Sequence, residues 1–186
     1  MKNKKNYLFG LLAIALTGLF SCKDDVKPIN EEEVINEVTV TLRDGNNTVY
    51  TLSYKDADGD GPQSPQITSD KLPANTTLTG TLSLKNTLAE PEEDITEEIH
   101  NESDEHQFFY LWSGSPAPSV TYSDTDNNNR PVGLEITLTT HDAYEGTLNL
   151  VLRHQPNKDA SGVAQGDITN AGGSTDVDLQ FPVRVE

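Results

Sequence analysis

The chain has 186 residues, 13 of them basic and 30 acidic, with a net charge of −17 and a single cysteine. Such an acidic surface repels nucleic acid and anionic lipid headgroups, and it favours cations, cationic partners or plain solubility. One cysteine allows no disulfide framework, and the length suits a single domain with a core of its own.

The first segment reads as an address. Lys2, Lys4 and Lys5 precede an apolar run from Tyr7 to Phe20, and Leu19-Phe20-Ser21-Cys22 closes it. A basic start, a short apolar stretch and a small residue before a cut describe a secretory signal over residues 1–21. The run falls short of the ~20 residues that span a bilayer. A lone thiol directly behind such a signal, with no partner to bridge, reads as a lipid attachment site at Cys22. The stretch resembles the lipobox of bacterial lipoproteins in Leu19, Ser21 and Cys22, with Phe20 where a small residue is usual. The resemblance implies cleavage before Cys22 and acylation of its sulfur. Two or more acyl chains anchor stably, whereas one gives only ~10⁴ M⁻¹. Lys23-Asp24-Asp25 is similar to the acidic export signal of Bacteroidota-type lipoproteins. That similarity implies an outer-membrane protein facing the cell surface, with the periplasmic face as the alternative.

Residues 22–37 are acidic, interrupted by Pro28 and poor in apolar area, so a flexible tether is expected there. From Val38 the period becomes two. Val38, Val40 and Leu42 alternate with Thr39, Thr41 and Arg43, and Asp44-Gly45-Asn46-Asn47 turns the chain. The same alternation recurs over 48–54, 66–72, 80–84, 107–112, 119–122, 133–140, 146–153 and 177–185. Together these runs predict about nine half-buried strands. One stretch, 90–105, is acidic and has only Ile95 and Ile99 as an apolar pair. It predicts an insert that is a short helix or a loop, with a stripe too narrow to dock firmly.

Three ordered echoes suggest an internal duplication. Leu52-Ser-Tyr-Lys-Asp-Ala-Asp58 returns as Val120-Thr-Tyr-Ser-Asp-Thr-Asp126. Gly80-Thr-Leu-Ser-Leu84 returns as Gly146-Thr-Leu-Asn-Leu150, and Asp94-Ile-Thr96 as Asp167-Ile-Thr169. Each copy offers too few strands to close a core alone. The expected fold is therefore all-β: one pseudo-duplicated immunoglobulin-like β-sandwich over residues 38–186, with a closed β-barrel as the alternative.

Two chemistries suggest themselves. Asp56, Asp58 and Asp60, with Gly59 and Gly61 between and after them, space oxygen ligands as Ca²⁺ prefers. The loop is similar to the first half of an EF-hand or dockerin loop, with Ile67 where that motif carries its bidentate Glu. Asp124 and Asp126 form a weaker second copy. A solvated turn is the competing reading of both. Separately, His106 opens one predicted strand and His154 closes another. If these strands pair antiparallel, the two imidazoles meet at the mouth of the domain beside Glu105. Two His and a carboxylate would suit zinc or copper.

Phe108, Phe109, Tyr110 and Trp112 mark the main core strand, the Phe109/Leu111 face being a partner or glycan surface if exposed. No GxSxG elbow, HExxH helix or phosphate-cradling glycine loop occurs, so no enzyme activity is expected. The motifs DADGDG, EDITEEIHNESDEHQFF, VTYSDTD, LVLRHQPNK and GDITNAGG resemble those of small Bacteroidota lipoproteins of unassigned role. Such proteins are often labelled as type 1 periplasmic-binding fold, which implies two parallel α/β lobes. The strand pattern here has no βαβ alternation, and the all-β expectation stands. The resemblance implies a ligand-binding or accessory lipoprotein working beside a TonB-dependent outer-membrane receptor. Metal handling, of Ca²⁺, Zn²⁺ or copper, and a structural envelope role are the alternatives.

Overall fold

The computed structural model describes residues 34–59 and 61–186. The signal segment, Cys22, most of the tether and Asp60 lie outside the described residues.

Every predicted alternating run forms a strand. These are β1 (Glu37–Arg43), β2 (Val49–Lys55), β3 (Gln66–Ser69), β4 (Thr77–Asn86), β6 (His106–Trp112), β7 (Ser119–Tyr122), β8 (Glu135–Thr139), β9 (Tyr144–His154) and β10 (Ser174–Val185). A two-residue strand, β5 (Glu93–Asp94), was not foreseen; it adds to the end of β4 through Lys85 and Asn86. The larger sheet runs β3-β2-β1-β4-β8-β7, with β5 beside β4, and the smaller runs β10-β9-β6. All the pairings between these strands are antiparallel. The sheets do not close into a barrel, and the fold is an all-β sandwich.

Alternation explains the packing. In β1 and β4, Val38, Val40, Leu42, Leu78, Leu82 and Leu84 are buried. They meet Phe108, Leu148, Leu150, Leu152, Phe181 and Val183 of the smaller sheet in one continuous core. The opposite face of the larger sheet is dressed with hydroxyls: Thr39, Thr41, Thr79, Thr81, Thr137 and Thr139 are all at least partly exposed. β-Branched residues suit a pleated, half-solvated surface of this kind. Gly80 lies on the inner face, where a Cβ would stand 2.7 Å from Ile136 Cγ1 and 2.9 Å from Leu42 Cδ2. Gly80→Val therefore overpacks the contact between β1, β4 and β8 and should cost about 1–3 kcal/mol in urea unfolding.

The outer face of the smaller sheet is covered around Phe109 and Val151, while Asp178, Gln180, Pro182 and Arg184 of β10 are exposed. Phe109 is fully buried with Val151 under Val163 and Ala171 of the long 155–173 connection. Gln107 donates to the Val163 carbonyl at 2.8 Å and pins that cover down. The burial of Phe109 agrees with the reading of β6 as a core strand, and the conditional alternative of a displayed partner or glycan surface does not apply to Phe109.

The acidic insert contains a helix, α1 (Ile95–Asn101), capped by Asp94, which accepts from Thr96 N and Glu97 N. The expectation that its two isoleucines dock weakly is also corrected: Ile95 and Ile99 are 3% and 0% exposed. A seven-residue helix closing one end of the sandwich needs only two anchors. Thr96 adds a third, its hydroxyl bonding both Leu84 N and Leu84 O.

The echoed motifs fall in related local settings. β4 is a central strand of the larger sheet and β9 the central strand of the smaller. Asp94 and Asp167 each accept the N–H of the Thr two residues on, at 3.0 and 2.9 Å. Strand directions then sort the connections. The four long ones, 56–65, 87–105, 123–134 and 155–173, all leave the sandwich at one pole, where β1 also begins. The other pole carries the 44–48, 70–76, 113–118 and 140–143 connections.

Candidate metal centre

The long-loop pole holds the candidate residues. β6 and β9 pair so that His106 lies directly opposite His154. The imidazoles stack with centroids 4.8 Å apart and an 18° tilt. His106 is 0% exposed and His154 6%. His106 Nδ1 lies 3.1 Å from the Glu102 carbonyl oxygen. A carbonyl only accepts, so Nδ1 carries the proton and the lone pair sits on Nε2. That Nε2 is buried with no hydrogen-bond partner, and Asp176 Oδ2 stands 3.9 Å from it.

Asp176 arrives by a backbone irregularity. The β9–β10 register runs Thr175↔Arg153 and then Val177↔Leu152, so Asp176 is an extra residue in a bulge. Bulges re-aim side chains, and this one brings the carboxylate to the histidines. One ligand atom each from His106, His154 and Asp176 falls within a 4.8 Å group. Each of the three strands of the smaller sheet thus supplies one ligand. Glu105 lies at the rim: its Oε2 is 3.4 Å from His154 Nε2 and accepts from Gln155 Nε2 at 2.7 Å.

The electrostatics suit a cation. Burial lowers the His106 pKa, and the neighbouring His154 lowers it further, against the opposing pull of the Glu102 carbonyl and Asp176. The ring is therefore neutral and ready to ligate at neutral pH. The hydrogen bond from Gln155, with His154 behind it, keeps Glu105 ionised below its usual range. Imidazole nitrogens together with carboxylates favour Zn²⁺ or Cu²⁺, whereas Ca²⁺ prefers oxygen alone. The lowered His106 pKa also fixes a pH response. The unfolded chain binds a proton at His106 below about pH 6.5 that the folded chain resists. The metal-free domain should therefore lose stability as pH falls from about 6.5. Chemical denaturation at pH 7.5 and 5.5 checks this, with His106→Gln expected to flatten the difference.

Of the other candidate aspartates, most oxygens accept from the chain itself, while Asp58 Oδ1 is buried without a hydrogen-bond partner. Asp56 Oδ1 accepts from Asp58 N at 3.3 Å and Asp58 Oδ2 from Gln63 N at 3.1 Å, a turn completed by Gly59 at φ 63°. Asp60 lies outside the described residues. Asp124 gives its two oxygens to Gly133 N and Leu134 N, both at 2.8 Å. Asp126 accepts from Asn128 N and Arg130 N, and pairs with Arg130 Nε at 3.0 Å and Lys158 Nζ at 3.3 Å. Asp126 thus already faces two cations, and both Asp124 oxygens are taken by backbone N–H groups. Lys158, which sequence reasoning passed over, also donates to the Ser103 and Pro131 carbonyls at 2.6 and 2.9 Å. It ties three of the four long connections together. Gly133 follows, at φ 93°, where a Cβ would meet Phe108 Cβ and Tyr122 Cε1 at 2.9 Å.

Beside α1 opens a cleft of about 440 Å³, lined among others by Asp94, Glu97, His100, Ser123, Asp124 and Glu135. His100 is an exposed side chain on its wall. In comparisons with known proteins, no family model, curated protein or solved structure matches the chain.

Proposed function

We propose that this chain is a lipid-anchored, non-catalytic envelope protein that binds a divalent transition-metal ion, Zn²⁺ or Cu²⁺, at the long-loop pole of its sandwich. The observation that carries the reading is the register of His106 against His154, with Asp176 bulged in beside them. A buried imidazole nitrogen lacking a hydrogen-bond partner is costly unless something takes its lone pair. A net charge of −17 concentrates cations around such a site. The signal-like pattern of residues 1–21 and Cys22 supports the lipid anchor. The acidic Lys23-Asp24-Asp25 supports outer-membrane display, where a TonB-dependent receptor is the partner proposed by resemblance.

The direct test uses residues 22–186 carrying Cys22→Ala, expressed without the signal so that no thiol competes for metal. Elemental analysis and calorimetric titration should find one Zn²⁺ or Cu²⁺ per chain, lost in His154→Gln. No binding in the unsubstituted site would end the proposal. For the anchor, Cys22→Ala in the full precursor should move the protein out of the membrane fraction; retention there would refute lipidation as the means of attachment.

The 440 Å³ cleft favours a second reading, capture of a small organic ligand, since its volume falls within the range of ligand pockets. Its acidic walls select a cationic or hydroxyl-rich compound.

A further inference from the structure

The metal reading leaves open whether the centre keeps a free position for chemistry or is closed by the protein. On that reading, we infer that Glu105 is the fourth ligand and that the centre is a closed two-histidine, two-carboxylate site. Glu105 is also the ligand through which the ion enters and leaves.

Three observations converge on Glu105. The first is distance. In a tetrahedral zinc site with bonds of about 2.0–2.2 Å, neighbouring ligand atoms stand about 3.3–3.6 Å apart by simple geometry. Glu105 Oε2 and His154 Nε2 are already 3.4 Å apart, and His106 Nε2 and Asp176 Oδ2 are 3.9 Å apart; Glu105 stands outside the 4.8 Å group of the other three and completes the site by turning its carboxylate inward. The second is charge. The His106 and His154 side chains are 0% and 8% exposed and the Asp176 side chain 14%. With Asp176 alone, a divalent ion would leave one uncompensated positive charge in this nearly dry place, which is expensive. A second carboxylate makes the centre neutral. The third is position. The Glu105 side chain is 45% exposed, the only one of the four at the solvent boundary.

Gln155 holds it there. Its side-chain amide donates to Glu105 Oε2 at 2.7 Å, and its backbone N–H to the Glu105 carbonyl at 2.6 Å. Gln155 takes a left-handed φ of 50° directly after β9, which aligns both donors with Glu105. Gln155 is thus a positioning residue: it aims the outer carboxylate without touching the ion. Four protein ligands leave no site for an activated water, which is the mark of a holding centre and not a hydrolytic one. A solvent-side carboxylate that can swing away gives the ion a route out that the buried ligands do not.

The test compares Co²⁺ and Zn²⁺ binding by residues 22–186 carrying Cys22→Ala with the same protein bearing Glu105→Gln, Gln155→Ala or Asp176→Asn. The parent should show the intense visible absorption of four-coordinate Co²⁺. Glu105→Gln should bind at least 10-fold more weakly, lose that intensity as water replaces the carboxylate, and release the ion faster to a chelator. Gln155→Ala should weaken binding about 10-fold, in line with other outer-shell partners, while keeping the four-coordinate spectrum. Asp176→Asn should also weaken binding, since it removes a largely buried anionic ligand. Glu105 is a surface side chain, so circular dichroism should find its variant folded. Unchanged affinity, spectrum and release in Glu105→Gln would overturn this inference while leaving the metal centre standing. A parent that binds neither ion would overturn both.

Discussion

Zinc added to the metal-free domain at 100 times its dissociation constant should raise the melting temperature by about 5–10 °C. Binding at that excess adds about 2.7 kcal/mol to the folded state. For a domain of this size each kcal/mol is worth about 2–4 °C. The coupling to folding is direct, because the ligands come from all three strands of the smaller sheet. Unfolding scatters His106, His154 and Asp176, and the ion is lost with them. His154→Gln should abolish the shift, and Ca²⁺ should not reproduce it. A scan in which Zn²⁺ leaves the transition where the chelator put it would count against the centre.

Asp126→Ala should cost about 3–5 kcal/mol, the range seen when one member of a buried ion pair is removed. Lys158 and Asp126 have fully buried side chains. Without the carboxylate, the Lys158 ammonium keeps only carbonyl acceptors in a place that already pulls its pKa down by burial. The turn also loses the acceptor for Asn128 N and Arg130 N. Lys158→Met added to Asp126→Ala should recover part of the loss, since no stranded charge remains. The pair also sets the acid limit. Burial pushes the Asp126 pKa up, but the N–H groups of Arg130 and Asn128, together with Lys158, outweigh it and leave it lowered. Its contribution is therefore present above the ordinary Asp value of about 3.9 and is lost as pH falls through the lower folded one. Urea unfolding of both variants at neutral pH checks the sizes. A loss below 1 kcal/mol for Asp126→Ala would show that the pair is not held as described.

The strands were legible because alternation and burial are the same fact seen from two sides: Val38-Thr-Val-Thr-Leu42 cannot sit half-buried in any other way. The meeting of His106 and His154 was legible for a similar reason, since one opens a strand and the other closes it. Asp176 was not. Alternation alone puts Asp176 and Asp178 on one side of β10, and a bulge is a count against the partner strand that no single run of residues carries. Lys158 was missed because a lysine in a polar loop ordinarily points to water, and only three connections converging on it reverse that expectation. The helix was underrated because its stripe was judged by width, whereas what mattered was the narrow gap it had to plug. Asp124 and Asp126 show why spacing alone is ambiguous: turn geometry and ion binding ask for the same residues at the same spacing.

The direction of the strands has a mechanical corollary. Glu37, where β1 begins, shares a pole with the imidazoles, while Asn46 and Asp142 mark the far one. The chain therefore enters the sandwich on the side of the imidazoles, and the four shorter connections lie on the opposite side. Antibodies or dyes directed at Asn46 or Asp142 would then leave ion exchange alone, and a bulky graft near Val34 would crowd the doorway.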